Sequence, residues 1–265
     1  MKTPVIIPAF NEASQIGPTL RALDHNTVEP FVIVNGEKGA DETAAAALML
    51  TPNVFILPEQ GKLPAIQYAL KKLIEYDKDV YVNPILLSDA DSWPLVRADW
   101  ARVMGQAVAG NVARSAAGLT LLADGPVVDC GLRNARRLMR ARQDQGTNTL
   151  RSAFGANMAI NFANDHELLE RVLEVPHVWP GEDRYLLHLA GGEGERERFT
   201  QLASIGSTVL TSSRFLKPLV STFGQSMDTR LSAKRKEYTF RKADSVTHFF
   251  DDEASLLREH AQKLA

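Results

Sequence analysis

Two carboxylates, Asp89 and Asp91, close the apolar run ILLS in the segment ILLSDADSWP at residues 85–94. Hard divalent cations such as Mg²⁺ and Mn²⁺ take oxygen ligands, and their usual mode combines one or two carboxylates with the phosphates of a bound substrate. On an extended chain two residues that are two apart project to the same side, so this pair can address one ion. Asp-x-Asp triplets also arise as ordinary turn or capping acids, and the triplet alone does not separate the two readings.

The elements that must carry these acids follow from the hydrophobic periodicity. PVIIP at 4–8 is a short β-branched run, and a helical spacing begins within AFNEASQIGPTLRAL, with Asn11 or Ser14 as its expected cap. A second strand, PFVIVNG at 30–36, precedes the helix-prone DETAAAALML, and NVFILP at 53–58 supplies a third. GKLPAIQYALKKLIEY places Ile66, Ala69, Leu70 and Leu73 on one helix face, ahead of the strand that ends in Asp89. Strands alternating with helices over such short connections imply an α/β fold with a mostly parallel central sheet flanked by helices. Ligands of such sheets bind beyond the carboxyl ends of the strands. Asn11 and Glu12, Asn35 and Gly36, Lys62, and Asp89 with Asp91 all fall in those strand-end loops.

Beyond residue 95 the rhythm changes to a helix in DWARVMGQAVAG, a strand in ARSAAGLTLLA, an Arg-rich helix, the segment GANMAIN and then WPGEDRYLLHLAGG. From about residue 216 the chain is polar and basic. With 265 residues, 45% of them hydrophobic, the chain can bury one substantial core. A net charge of −2 excludes a uniformly basic nucleic-acid coat, although local basic patches can still meet phosphate. One cysteine, Cys130, forms no internal disulfide and suits a reducing cytoplasm. The apolar run before Pro8 is too short for a signal peptide, and no stretch is long enough to span a bilayer. The expectation is a cytoplasmic protein whose only membrane attachment would be peripheral.

Four segments, in order, resemble the family-two glycosyltransferases of the GT-A fold. VIIPAFNEASQIGPTL resembles their opening strand with its Pro-x-x-Asn-Glu signature, and GKLPAIQYAL their Gly-Lys helix. SDADS matches their metal-binding triplet, and GANMAIN with PGEDRYLLHL resembles the later small-residue segment and Glu-Asp motif. The resemblance implies a single GT-A catalytic domain over residues 1–215, divided into a nucleotide-sugar-binding half (1–95) and an acceptor half (96–215). Residues 216–265 form a basic C-terminal extension on or near the site. It further implies an inverting hexosyltransferase that uses Mn²⁺ or Mg²⁺ and a nucleotide-sugar donor, and because the sequence has neither the Gln-x-x-Arg-Trp motif of processive polysaccharide synthases nor their membrane helices, a single transfer is the expected mode.

Carried over residue by residue, the resemblance puts Pro8, Asn11 and Glu12 around the nucleotide and Lys62 near the donor diphosphate. Asp89 faces the ribose or the metal, and Asp91 is the main metal ligand. Asp183 is the general base that deprotonates the acceptor hydroxyl, with Glu182 beside it, although both also read as favourable acids at a helix start after Pro180-Gly181. Arg214 helps to hold the diphosphate, and His248 offers a further metal ligand, a histidine between apolar residues being otherwise a packed strand residue. Asn157, Trp179 and Arg137 are placed at the acceptor.

The chain departs from the pattern at VNGEKGADET, where many members carry two acids and a Gly-Ser. Asn35 stands in the region that contacts the base, and its amide can both donate and accept. Arginines 133, 136, 137 and 140 share one helix face, and RLSAKRKEYTFRK at 230–242 interleaves six basic residues with Tyr238 and Phe240. The acceptor classes left open are a small or lipid-linked sugar and, as a minority reading, a modified base in DNA. A nucleotidyltransferase and a non-catalytic nucleotide-sugar-binding protein are rival readings of the whole chain. The first would bring a Gly-rich basic loop where this chain has PAFNEAS, and intact Asp91 and Asp183 oppose the second.

Overall fold

The computed structural model describes residues 2–36, 40–76, 84–109, 115–118, 120–122, 157–162, 166–174, 186, 199–202, 205–211 and 245–246. The first half alternates strand and helix as its periodicity requires: β1 (Thr3–Ala9), α1 (Ala13–Ala22), β2 (Val28–Asn35), α2 (Ala40–Leu48), β3 (Val54–Leu57), α3 (Lys62–Tyr76) and β4 (Pro84–Ser88). There follow β5 (Ser92–Pro94), α4 (Trp100–Val108), β6 (Ser115–Ala117), β7 (Thr120–Leu122), β8 (Asn157–Asn161) and α5 (His166–Glu174). The described elements end with β9 (Phe199–Gln201), a 3₁₀ turn at Ile205–Ser207, β10 (Val209–Thr211) and β11 (Ser245–Val246).

The main sheet has eight strands in the order β11-β9-β6-β8-β4-β1-β2-β3. Strands β4, β1, β2 and β3 are mutually parallel, whereas β8 runs antiparallel to both β4 and β6. The sheet is therefore α/β and mostly parallel. A smaller sheet of order β5-β10-β7 lies after the acidic triplet. Ser245–Val246, from the segment expected as an extension, pairs with β9 at the edge of the main sheet.

Helices cover both faces of the central strands, so those strands read as continuous apolar runs. Ile6, Ile33, Ile85 and Leu87 point into one core with Ile66, Leu70 and Leu73 of α3 and Leu169 and Val172 of α5. Val5, Ile7, Val32, Val34 and Leu86 point into the other, with Ile16 and Leu20 of α1, Ala44 and Ala47 of α2, and Trp100, Met104 and Val108 of α4. The expected α3 face, Ile66, Ala69, Leu70 and Leu73, is the buried one.

Two local expectations change. Residues 113–123, read as one strand, divide at Gly118 into β6 and β7, which belong to different sheets. A Cβ on Gly118 would lie 2.0 Å from the Ser207 carbonyl oxygen and 2.4 Å from Asn157 Nδ2, so only glycine lets the chain pass there. Neither Asn11 nor Ser14 caps α1. Glu12 is the cap residue; its carbonyl accepts from the Gln15 and Ile16 amides, and no side chain completes the cap.

Candidate active site

Strand order creates the site. The chain leaves β1 toward β2 and β3 on one side and returns to β4 on the other, so the order reverses between β1 and β4. At such a switch point the loops beyond the two carboxyl ends diverge and leave a crevice. Phe10, Asn11 and Glu12 follow β1, and Asp89 to Asp91 follow β4.

Pro8, near the end of β1 and in register with Ile33 of β2, lies past the last residue of β1 that pairs with β4, so its missing N–H costs the β4 pairing nothing. Asn11 turns the chain with φ 55°, a left-handed conformation that Asn tolerates better than most residues. The Glu12 amide donates to Thr43 Oγ1 at 3.1 Å, which ties this loop to α2.

The Asp89-Ala90-Asp91 triplet is a turn rather than an extended segment. The Ser92 amide donates to the Asp89 carbonyl at 3.1 Å, which closes it. Ala90 is buried in the core beneath α1, and Thr19 Oγ1 of that helix donates to the Ala90 carbonyl at 2.8 Å. Both aspartates remain partly exposed. The triplet is thus anchored by its middle residue, with its acids left at the surface of the crevice.

Lys62, the first residue of α3, forms an ion pair with Asp89 Oδ1. Its backbone is set from the other side: Asn35 Nδ2, at the end of β2, donates to the Gly61 carbonyl at 2.7 Å, and Gly61 has φ 137°. Asn35 is 4% exposed, and its Oδ1 has no hydrogen-bond partner among the described residues. Beside it Gly36 has φ 84°, and a Cβ there would lie 2.7 Å from the Phe10 ring. Phe10 covers Gly36 yet stays 38% exposed, an aromatic surface next to a buried acceptor.

The geometry joins Asn35, Lys62 and Asp89 and sets the Asn11–Glu12 loop beside the triplet's strand. Asn157 stands apart. It is fully buried; its Oδ1 accepts from Trp100 Nε1 at 2.9 Å and its Nδ2 donates to the Ser207 carbonyl at 2.7 Å. This side chain ties α4, β8 and the 3₁₀ turn together, so direct contact with an acceptor is not what it is arranged for. Glu182, Asp183, Arg214, His248, Trp179 and Arg137 lie outside the described residues.

Sequence reasoning passed over Phe10, Thr19 and Trp100. Thr19 had a signal: it falls on the same α1 stripe as Ile16, Leu20 and Leu23, and a polar residue on an apolar stripe implies a buried hydrogen bond. Trp100 had a weaker one, an indole N–H inside an apolar helix face that needs a partner.

The donor set fits a hard divalent ion: two carboxylates in one turn, with Asp89 already attracting a cation. Among the described residues, no group of three or more His, Cys, Asp or Glu side chains converges on one point, so a metal held here would need further oxygens. Donor phosphates are the usual source. No described helix is long and apolar enough to cross a membrane.

No protein-family model matches the chain, and no curated protein matches it in sequence. Solved structures do. Glucosyl-3-phosphoglycerate synthase from Mycobacterium tuberculosis, in complex with Mn²⁺, UDP and phosphoglyceric acid, superposes with a TM-score of 0.55 at 20% identity, covering 87% of this chain and 78% of that one. The same enzyme with Mn²⁺, UDP and glucosyl-3-phosphoglycerate gives 0.55 and 20% over 87% and 79%. With Mg²⁺ and UDP it gives 0.53 and 17% over 92% and 88%. This chain has the GT-A fold. At these identities the likeness defines the GT-A architecture, and the chemistry rests on the residues that this architecture brings together.

Proposed function

We propose that this protein is a metal-dependent glycosyltransferase that moves a hexosyl group from a nucleoside-diphosphate sugar to an acceptor hydroxyl, in a single transfer with inversion. The observation that carries the reading is the Asp89-Ala90-Asp91 turn at the switch point, anchored through Ala90 and faced by Lys62. Asp91, with Asp89, would hold Mn²⁺ or Mg²⁺. A cation bound there supplies charge stabilisation for a diphosphate leaving group.

The protein's own groups divide the remaining work. Lys62 at the start of α3 offers a cation and a helix N-terminus to donor phosphate. Asn35 presents a buried acceptor to the base, and the loop of Pro8, Asn11 and Glu12 shapes the pocket for the nucleotide. Asp183, assigned from its motif, takes the acceptor proton, with Glu182 adjacent; Arg214 and His248 are proposed as supplementary phosphate and metal contacts. Trp179 and Arg137 remain the proposed acceptor contacts. UDP is the first diphosphate to test, and phosphoglyceric acid the first acceptor, because one of the structural neighbours was captured with both. That neighbour also favours a small acceptor over DNA, and a cytoplasmic location accords with such a substrate.

The assignment of the base is tested by Asp183→Asn. Donor binding should persist, while transfer from a nucleotide sugar should fall by about two orders of magnitude or more. Transfer at the wild-type rate would refute the assignment.

A further inference from the structure

We propose that Lys62 is a built-in counter-ion for the metal site, one that neutralises Asp89 in the ligand-free protein and moves to the donor diphosphate when a divalent cation takes its place. This rests on the reading of Asp89 and Asp91 as the metal site.

Lys62 occupies a position that helix physics disfavours. It is the first residue of α3, where the macrodipole is positive and a cation is opposed. The partner that offsets this lies 27 residues away: the ammonium pairs with Asp89 Oδ1, and the two side chains are only 17% and 35% exposed. An ion pair partly withdrawn from water is screened less than one at the open surface.

Both ends of the pair stand on fixed supports. The Gly61 carbonyl is held by Asn35 Nδ2 in a buried hydrogen bond, and the acidic turn is held by Thr19 through Ala90. The part able to move is the Lys62 side chain, a compact charge on a flexible four-carbon stem. A divalent ion approaching Asp89 meets that ammonium as a like charge, so ion and ammonium compete for one carboxylate. A nucleoside diphosphate removes the conflict, because its phosphates accept the released ammonium beside the amino end of α3. Metal and diphosphate should then strengthen each other's binding by the same factor, and Lys62 should be the source of much of it.

The test is Mn²⁺ affinity, followed by electron paramagnetic resonance of free Mn²⁺, for the full chain and for Lys62→Gln, each with and without UDP. Removing one unit charge a few ångströms away should tighten binding of Mn²⁺ alone by about fivefold or more. The further gain that UDP gives to Mn²⁺ should shrink in the same variant. Lys62→Met, which keeps the apolar stem, serves if the glutamine variant does not fold, and the Mn²⁺-induced rise in Tm should be larger in either variant than in the wild type. Mn²⁺ binding alone that is no tighter without the ammonium overturns the proposal, including the case in which neither protein binds the ion. Retention of Mn²⁺ binding in Asp91→Ala would instead overturn the metal-site reading beneath it, so the two failures are distinguishable.

Discussion

Thr19 Oγ1 donates to the Ala90 carbonyl at 2.8 Å, a buried hydrogen bond that spans 71 residues and fixes the acidic turn to α1. The turn carries its acids on either side of an anchored residue, so their placement depends on a helix that contributes no ligand itself. Thr19→Val keeps the shape and removes the donor, leaving a carbonyl unpaired in the core. The expected loss is about 1–3 kcal/mol of stability, read from urea unfolding. Metal-dependent nucleotide binding should weaken as well, whereas a merely local role would leave it at the wild-type value.

Asn35→Asp should be destabilising despite its near-identical shape. The wild-type Nδ2 donates to the Gly61 carbonyl, and the variant turns a carboxylate oxygen toward that acceptor in a buried place. A cost of about 1–3 kcal/mol is expected, together with displacement of Lys62 from Asp89. Unchanged stability would mean that the Asn35–Gly61 bond does not hold the start of α3.

Gly36→Ala faces two penalties: the φ of 84° and a Cβ 2.7 Å from the Phe10 ring. The steric part is separable. Phe10→Ala in the same chain should recover some of the loss, with a coupling of about 0.5–3 kcal/mol in a double-mutant cycle, and simple additivity would contradict the Phe10–Gly36 contact.

Trp100→Phe removes the indole N–H that satisfies Asn157 Oδ1 in a fully buried setting. Stability should fall by about 1–3 kcal/mol, measured by denaturant unfolding. The apparent KM for acceptor should change little, since Asn157 is engaged within the core.

Much of the first half of this fold was legible because parallel strands buried on both faces and amphipathic helices write strong patterns. The runs at 4–8, 30–36 and 53–58 and the α3 face of Ile66, Ala69, Leu70 and Leu73 fall where the periodicity placed them. Features made by contact across the chain were not legible. The break at Gly118 is dictated by Ser207 and Asn157, which are remote in sequence; the glycine itself was the only local sign of it, since an isolated glycine in a strand run marks a bend or a close backbone approach. The acidic triplet was found by residue type, but its conformation was misread as extended, because the bond that closes the turn and the one that anchors it involve backbone carbonyls. Asn157 shows the converse: a polar residue in a motif-like segment, GANMAIN, is taken up by internal hydrogen bonds.

On the proposed reading, Asp91 makes nucleotide binding depend on a divalent cation. The decisive measurement is calorimetric titration of UDP into the wild-type protein and Asp91→Ala, each with Mn²⁺ and with chelator. Binding to the wild type only with Mn²⁺, lost in Asp91→Ala while the variant's unfolding transition stays cooperative, is the predicted result. Binding that survives chelation, and is the same in both proteins, would contradict it.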